Sequence, residues 1–168
     1  MEPLDDAVDH VRGSSGGRLI LEYGDYECPY SRRATREMAQ VERRPGTRVR
    51  FAFRHFPLTE IHPHALAAAA AAEAAALQGQ FWSMHELLFA RQTALEDEDL
   101  RRYAAELGLD VVQFDGDRTG AAVLERVRRD MQSGTASGEV RGTPTLFIDG
   151  VVHRGGYDAA SLLEALAE

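Results

Sequence analysis

The stretch Arg18-Leu19-Ile20-Leu21-Glu22-Tyr23-Gly24-Asp25-Tyr26-Glu27-Cys28-Pro29-Tyr30-Ser31 decides the architecture. Its first half is a short apolar run closed by Gly24, the mark of a buried strand. From Tyr30 to Arg44, Ala34, Met38 and Val41 recur at helical spacing, and Pro45-Gly46 stops that helix. Cys28, the chain's single cysteine, therefore stands where a strand ends and a helix begins. Unpaired backbone N–H groups at a helix start stabilise a nearby anion, so the position favours a thiolate and predicts a reactive, partly exposed cysteine. Pro29 suits the first turn because no N–H is needed there. Ser31 lies three residues on, within reach to donate its hydroxyl to that thiolate, while Asp25 and Glu27 oppose it by like charge. A lone cysteine is also commonly a buried, inert small residue, so this turn alone leaves both readings open.

Working outward, Arg48 to Arg54 alternates as a half-buried strand does. From about His62 to Gly134 there is no strand signal. Residues 63–78, 80–91, 97–107 and 119–132 read as amphipathic helices parted by Gly79, Thr93 and Gly108. Strands return at Thr145-Leu146-Phe147-Ile148 and Val151-Val152-His153 around Asp149-Gly150, a strong hairpin cue. Asp158 then caps a last helix through Leu162, Leu163 and Leu166. The order is β-α-β, a helical block, then β-β-α, which predicts an α/β fold with strands near 18–24, 48–54, 145–148 and 151–153. Residues 1–17, ending in Gly13-Ser14-Ser15-Gly16-Gly17, read as a flexible lead-in to a single domain over 18–168, with the helical insertion over about 60–135.

Arg141-Gly142-Thr143-Pro144-Thr145 places a proline directly before a strand, a candidate cis peptide. A strand–cysteine–proline–helix element with Thr-Pro entering a late strand is far more specific than either part. The combination resembles the DsbA-like branch of thioredoxin-fold oxidoreductases, and the likeness covers nearly the whole chain. Asp9-His10-Val11-Arg12-Gly13 is similar to that branch's lead-in, and Tyr23 to Tyr30 to its active-site approach. Phe56-Pro57-Leu58, Ile61-His62-Pro63-His64-Ala65 and Gly79-Gln80-Phe81-Trp82 resemble landmarks of its helical insertion. The resemblance implies a bacterial thioredoxin-like fold with Cys28 as nucleophile, Pro144 cis beside it, and Ser31 completing the catalytic set. It further implies that Pro29, Tyr30 and Thr143 meet the substrate, Thr143 by backbone hydrogen bonds to an extended segment. The departure is Ser31, where a redox-active member carries its resolving cysteine. Attack on a disulfide then stalls at the mixed disulfide until an outside thiol arrives. An engineered trap, a natural monothiol type working with glutathione, and a fold adapted to another task all fit that serine. Two rival functions stay open: a kappa-type glutathione transferase or isomerase, and a non-catalytic binding module keeping the Thr143-Pro144 groove. Against the former, such proteins resemble one another in a serine at the first active-site position, where Cys28 stands.

The net charge of −8 argues against general affinity for nucleic acid or anionic membranes. All nineteen basic residues are arginine, so lysine Schiff-base chemistry is excluded. The acidic N-terminus shows no secretory signal, and the Ala65–Ala76 run is too short and too weakly apolar to span a bilayer, which predicts a cytoplasmic protein as written. Expected partners are protein or small-molecule disulfides and thiols. No cofactor is expected beyond glutathione as a candidate co-substrate, and the oligomeric state is expected to be a monomer or weak dimer. His62, His64, His55 and His85 raise a metal site, but i and i+2 on a helix face apart, so helix-start and packing roles are preferred and no metal is expected. Asp115-Gly116-Asp117-Arg118-Thr119-Gly120 opens like a calcium loop, yet Arg126 stands where a bidentate Glu is needed; it reads as a polar interhelical turn. Trp82 and Phe81 read as core, and Arg32, Arg33 and Arg36 as a solvated face able to meet an acidic thiol.

Overall fold

The computed structural model describes residues 2–167. Its elements are β1 (His10–Gly13), β2 (Arg18–Gly24), α1 (Pro29–Arg43), β3 (Val49–His55), α2 (Ala65–Ala76), α3 (Phe81–Ala90), α4 (Asp97–Glu106), α5 (Val111–Arg118), α6 (Ala121–Ala136), β4 (Thr145–Ile148), β5 (Val151–Val152) and α7 (Ala159–Ala167). The sheet order is β1-β3-β2-β4-β5. β2 and β3 run parallel through the α1 crossover, while β1, β4 and β5 add antiparallel partners. This is the expected thioredoxin-like α/β arrangement, with α2–α6 forming the insertion between its halves.

Period-2 alternation sends the two faces of β2 to different cores. Ile20 joins Met38, Val41, Phe51 and Phe53 beneath α1, whereas Leu21 and Tyr23 join Ala52, Val140 and Phe147 on the opposite face. The alanines of α2 leave almost no side-chain bulk, so this helix lies buried against α3, α5 and α6.

Two expectations are corrected. The lead-in is not structureless along its length: residues 10–13 are the edge strand β1, registered His10 to Phe53 and Gly13 to Arg50. A buried ion pair fixes it, with Asp9 accepting from Arg54 Nε at 2.9 Å and Nη2 at 2.8 Å. Arg54 also donates to the Tyr23 hydroxyl and to the carbonyls of Glu2 and Pro3. Nothing in the polar composition of residues 1–17 signals this pairing, because the partner lies more than forty residues away. The second correction is α5, which runs through the supposed turn at Asp115. Two β-branched residues and Gly116 weaken its propensity. The Asp110 side chain caps it by accepting from Gln113 N (2.9 Å), Phe114 is buried, and Arg118 ties Asp115 (2.7 Å) to Asp97 (2.8 Å).

Candidate active site

Cys28 is the N-cap of α1, in extended backbone at φ −76 and ψ 121, with Pro29 opening the helix. Its carbonyl accepts the amide of Arg32 at 3.1 Å. Opposite it, the Thr143-Pro144 bond is cis, as expected. The Cys28 thiol donates to the Thr143 carbonyl at 3.3 Å, which brings together the two motifs, 115 residues apart in sequence, that carry the resemblance. Beside Pro144 lies a cleft of about 300 Å³ lined by Glu139, Thr145, Val152, Arg154 and Tyr157 among others. Tyr30 flanks the cysteine and is 63% exposed. The Thr143 hydroxyl is buried without a hydrogen-bond partner.

Two expectations about the turn need correction. Cys28 is 2% exposed rather than partly exposed, because its sulfur packs under the Thr143 carbonyl. Ser31 is fully buried and does not serve the sulfur: its hydroxyl oxygen accepts the backbone N–H of Asp25 at 3.2 Å, and no Ser31–Cys28 hydrogen bond exists among the described residues.

Asp25 and Glu27, read from sequence only as opposing charges, are structural anchors of the turn. Asp25 is buried and accepts from the amides of Glu27 (2.8 Å) and Leu58 (2.9 Å) and bonds His62 Nδ1 (2.8 Å). Glu27 accepts the His64 amide at 2.7 Å and bonds its Nδ1 at 2.8 Å. The Glu27 bond, with lesser help from Glu96, holds His64 above its ordinary imidazole value. His62 and His64, which precede α2 rather than lie on it, thus clamp the cysteine turn.

Three functional neighbours escaped the sequence reading. Gln92 donates its side-chain amide to the carbonyls of both Tyr26 and Cys28, each at 2.8 Å, and so ties the insertion to the cysteine turn. Tyr26 packs into an aromatic cluster with Phe53 and Phe89 and bonds His85 Nδ1 at 3.0 Å. Burial holds His85 well below its ordinary value and therefore neutral. Glu22 shares the α1 face of β2 with Ile20; both its oxygens are buried without partners, and burial, only partly offset by Arg12, pushes its carboxyl up to about 8. The one available signal was a charged residue inside the apolar run 19–23. Gly24 keeps this corner tight: a Cβ there would lie 2.4 Å from the Phe53 ring and 3.0 Å from Glu22 Oε1. Arg33 and Arg36 remain exposed, as expected, whereas Arg32 is half-buried, its Nε without a hydrogen-bond partner.

A family model described as thioredoxin matches residues 6–168. Among solved structures, a thioredoxin-like oxidoreductase from Silicibacter pomeroyi is similar at TM-score 0.84 and 28% identity, covering 96% of this chain and 92% of that one. BdbD from Bacillus subtilis, in its oxidised form, is similar at TM-score 0.81 over 97% of this chain and 93% of its own, and at 18% identity it speaks to fold alone. Among curated relatives, an Na(+)/H(+) antiporter NhaA 1 of Mycolicibacterium vanbaalenii is 46% identical over 99% of this chain. The chain spans only 27% of that protein's length. The matched residues take in Cys28 and Pro144 alike, and the chain belongs to the thioredoxin family.

Proposed function

We propose that this chain carries out thiol–disulfide exchange with Cys28 as its nucleophile. The observation that carries the reading is the 3.3 Å contact of the Cys28 thiol with the carbonyl of Thr143, beside cis Pro144 and an open cleft. An extended substrate segment entering that cleft brings backbone N–H groups that compete for the Thr143 carbonyl, a short strand addition that releases the sulfur. The Cys28 thiolate then attacks one sulfur of the substrate disulfide. A new S–S bond forms, the old one breaks, and the other substrate sulfur leaves as thiolate and takes up a proton. Ser31 offers a hydroxyl in place of a second thiol, so an external thiol completes the cycle by attacking the mixed disulfide. Glutathione or a protein thiol fits that role.

The antiporter relatives exceed this chain in length severalfold, and among the described residues no helix is long and apolar enough to cross a membrane. The proposal is for thiol–disulfide exchange by this chain. Mass spectrometry after incubation with oxidised glutathione tests it directly. A single glutathionyl adduct on Cys28, removed by added thiol, is the expected result. An unmodified Cys28 alongside a control thiol that reacts would replace catalysis with a non-catalytic binding role.

A further inference from the structure

At the edge of the sheet, His10 of β1, His55 at the end of β3 and Glu73 of α2 converge. Glu73 Oε1 lies 2.8 Å from His10 Nε2 and 2.7 Å from His55 Nε2, and the three atoms all fall within 4.8 Å of one another. We propose that this His-Glu-His cluster is a zinc site, closed by three protein ligands with a fourth position open to water.

The geometry and donor chemistry favour zinc. Ligands about 2.0–2.2 Å from a tetrahedral ion sit ~3.3 Å apart, so each carboxylate–imidazole spacing, now 2.8 and 2.7 Å, need open by only about half an ångström to admit the ion, and two imidazoles with one carboxylate form an established zinc ligand set. The donors are preorganised. The His10 ring stacks on Phe81 at 3.5 Å and 8°, and His55 is fixed through its amide, which donates to Asp130 Oδ2 at 3.0 Å. Glu73 Oε1 is held between the two imidazoles and offers the ion a carboxylate oxygen.

Protons balance without a co-reactant. In the metal-free cluster one carboxylate oxygen accepts from both Nε2–H groups. When zinc takes the two Nε2 lone pairs, each neutral ring's one proton moves from Nε2 to Nδ1, so no proton is lost overall. That tautomer suits His55, whose buried Nδ1 has no hydrogen-bond partner and lies among the rings of Tyr26, Phe53 and Phe81. A bare lone pair there is costly, whereas an N–H against aromatic faces is weakly satisfied. Access runs through His10, which lines a cleft of about 320 Å³ with Asp9, Ala76, Gln80 and Trp82. Arg126 Nε stands 4.0 Å from Glu73 Oε2, but Asp130 also engages it, which tempers its repulsion of a cation. Occupancy would pin the edge strand and the insertion to the central sheet at one point.

Zinc chloride titrated calorimetrically into tag-free protein tests the site, with Cys28→Ala as background so that the thiol cannot compete. One equivalent should bind. His10→Gln, at the exposed side of the cluster, should weaken it by more than ~100-fold, beyond the ~10–100-fold typical of changes around a ligand. The double variant His62→Gln/His64→Gln should leave it unchanged. Nitrogen NMR of the unmutated background protein gives a readout free of folding effects: zinc should shift the Nε2 resonances of His10 and His55 and spare His85. Absence of binding, or binding that His10→Gln leaves intact, would overturn the assignment and leave the cluster a hydrogen-bonded brace.

Discussion

Glu22 is the most exposed point of the structural reasoning, because an unpaired carboxyl sealed beneath α1 must show itself in the pH dependence of stability. Its carboxyl sits at about 8 when folded against an ordinary 4.5. The folded state therefore keeps a proton that the unfolded chain gives up. Below about pH 4.5 both states hold it and nothing is lost; as pH rises towards 8 the folded state is progressively penalised. At ~1.4 kcal/mol per pH unit, the whole gap amounts to on the order of 5 kcal/mol, and about 3.5 kcal/mol of it falls between pH 5 and pH 8. Glu22→Gln keeps the shape and cannot ionise. The amide brings an unpaired N–H of its own, but that cost does not vary with pH and drops out of the comparison. Urea unfolding of both proteins at the two pH values is the assay. The variant should gain about 3.5 kcal/mol relative to the parent on going from pH 5 to pH 8, a relative midpoint shift of ~1–3 M at ordinary urea slopes of ~1–3 kcal/mol/M. Midpoints that move in parallel would mean that Glu22 is hydrated or paired, and that the core around β2 is not closed as described.

Three further outcomes follow from the site and its supports. Ser31→Cys should convert exchange with a disulfide-bearing peptide from dependence on added thiol to independence of it, since positions 28 and 31 share the first turn of α1; multiple-turnover kinetics with and without free glutathione read this directly. Gln92→Leu removes two hydrogen bonds to the cysteine turn and leaves the Tyr26 and Cys28 carbonyls short of donors, so it should destabilise by ~1–3 kcal/mol in urea unfolding. Arg54→Met strands Asp9, which is fully buried at its side chain, and should destabilise by ~3–5 kcal/mol; the double variant Arg54→Met/Asp9→Leu should recover much of that loss.

How much of this was legible in the sequence follows from where each signal is written. The strand-turn-Cys28-Pro29 element is local: apolar run, glycine, proline and helical spacing lie within a few residues of one another, and the structure places β2 and α1 within a residue of expectation. Thr143-Pro144 entering β4 is equally local, and only the pairing of the two motifs across the sheet needed the resemblance. Side-chain partners are another matter. Ser31 is near enough to Cys28 to suggest a bond, but proximity on the first turn does not fix a partner: its oxygen accepts the Asp25 amide, and its hydroxyl makes no bond to the sulfur. The clamp of His62 on Asp25 spans 37 residues, that of Gln92 on Cys28 spans 64, and the His10–Glu73 contact spans 63. Such separations leave no periodicity for one sequence to display. Glu22 lies between these extremes: its place in an apolar run was visible, and the missing partner that pushes its carboxyl upward was not. What the sequence could not show is thus consistent in kind, polar groups whose role is set by which distant backbone or carboxylate the fold brings to them, and three of them, Asp25, His62 and Gln92, brace the cysteine turn.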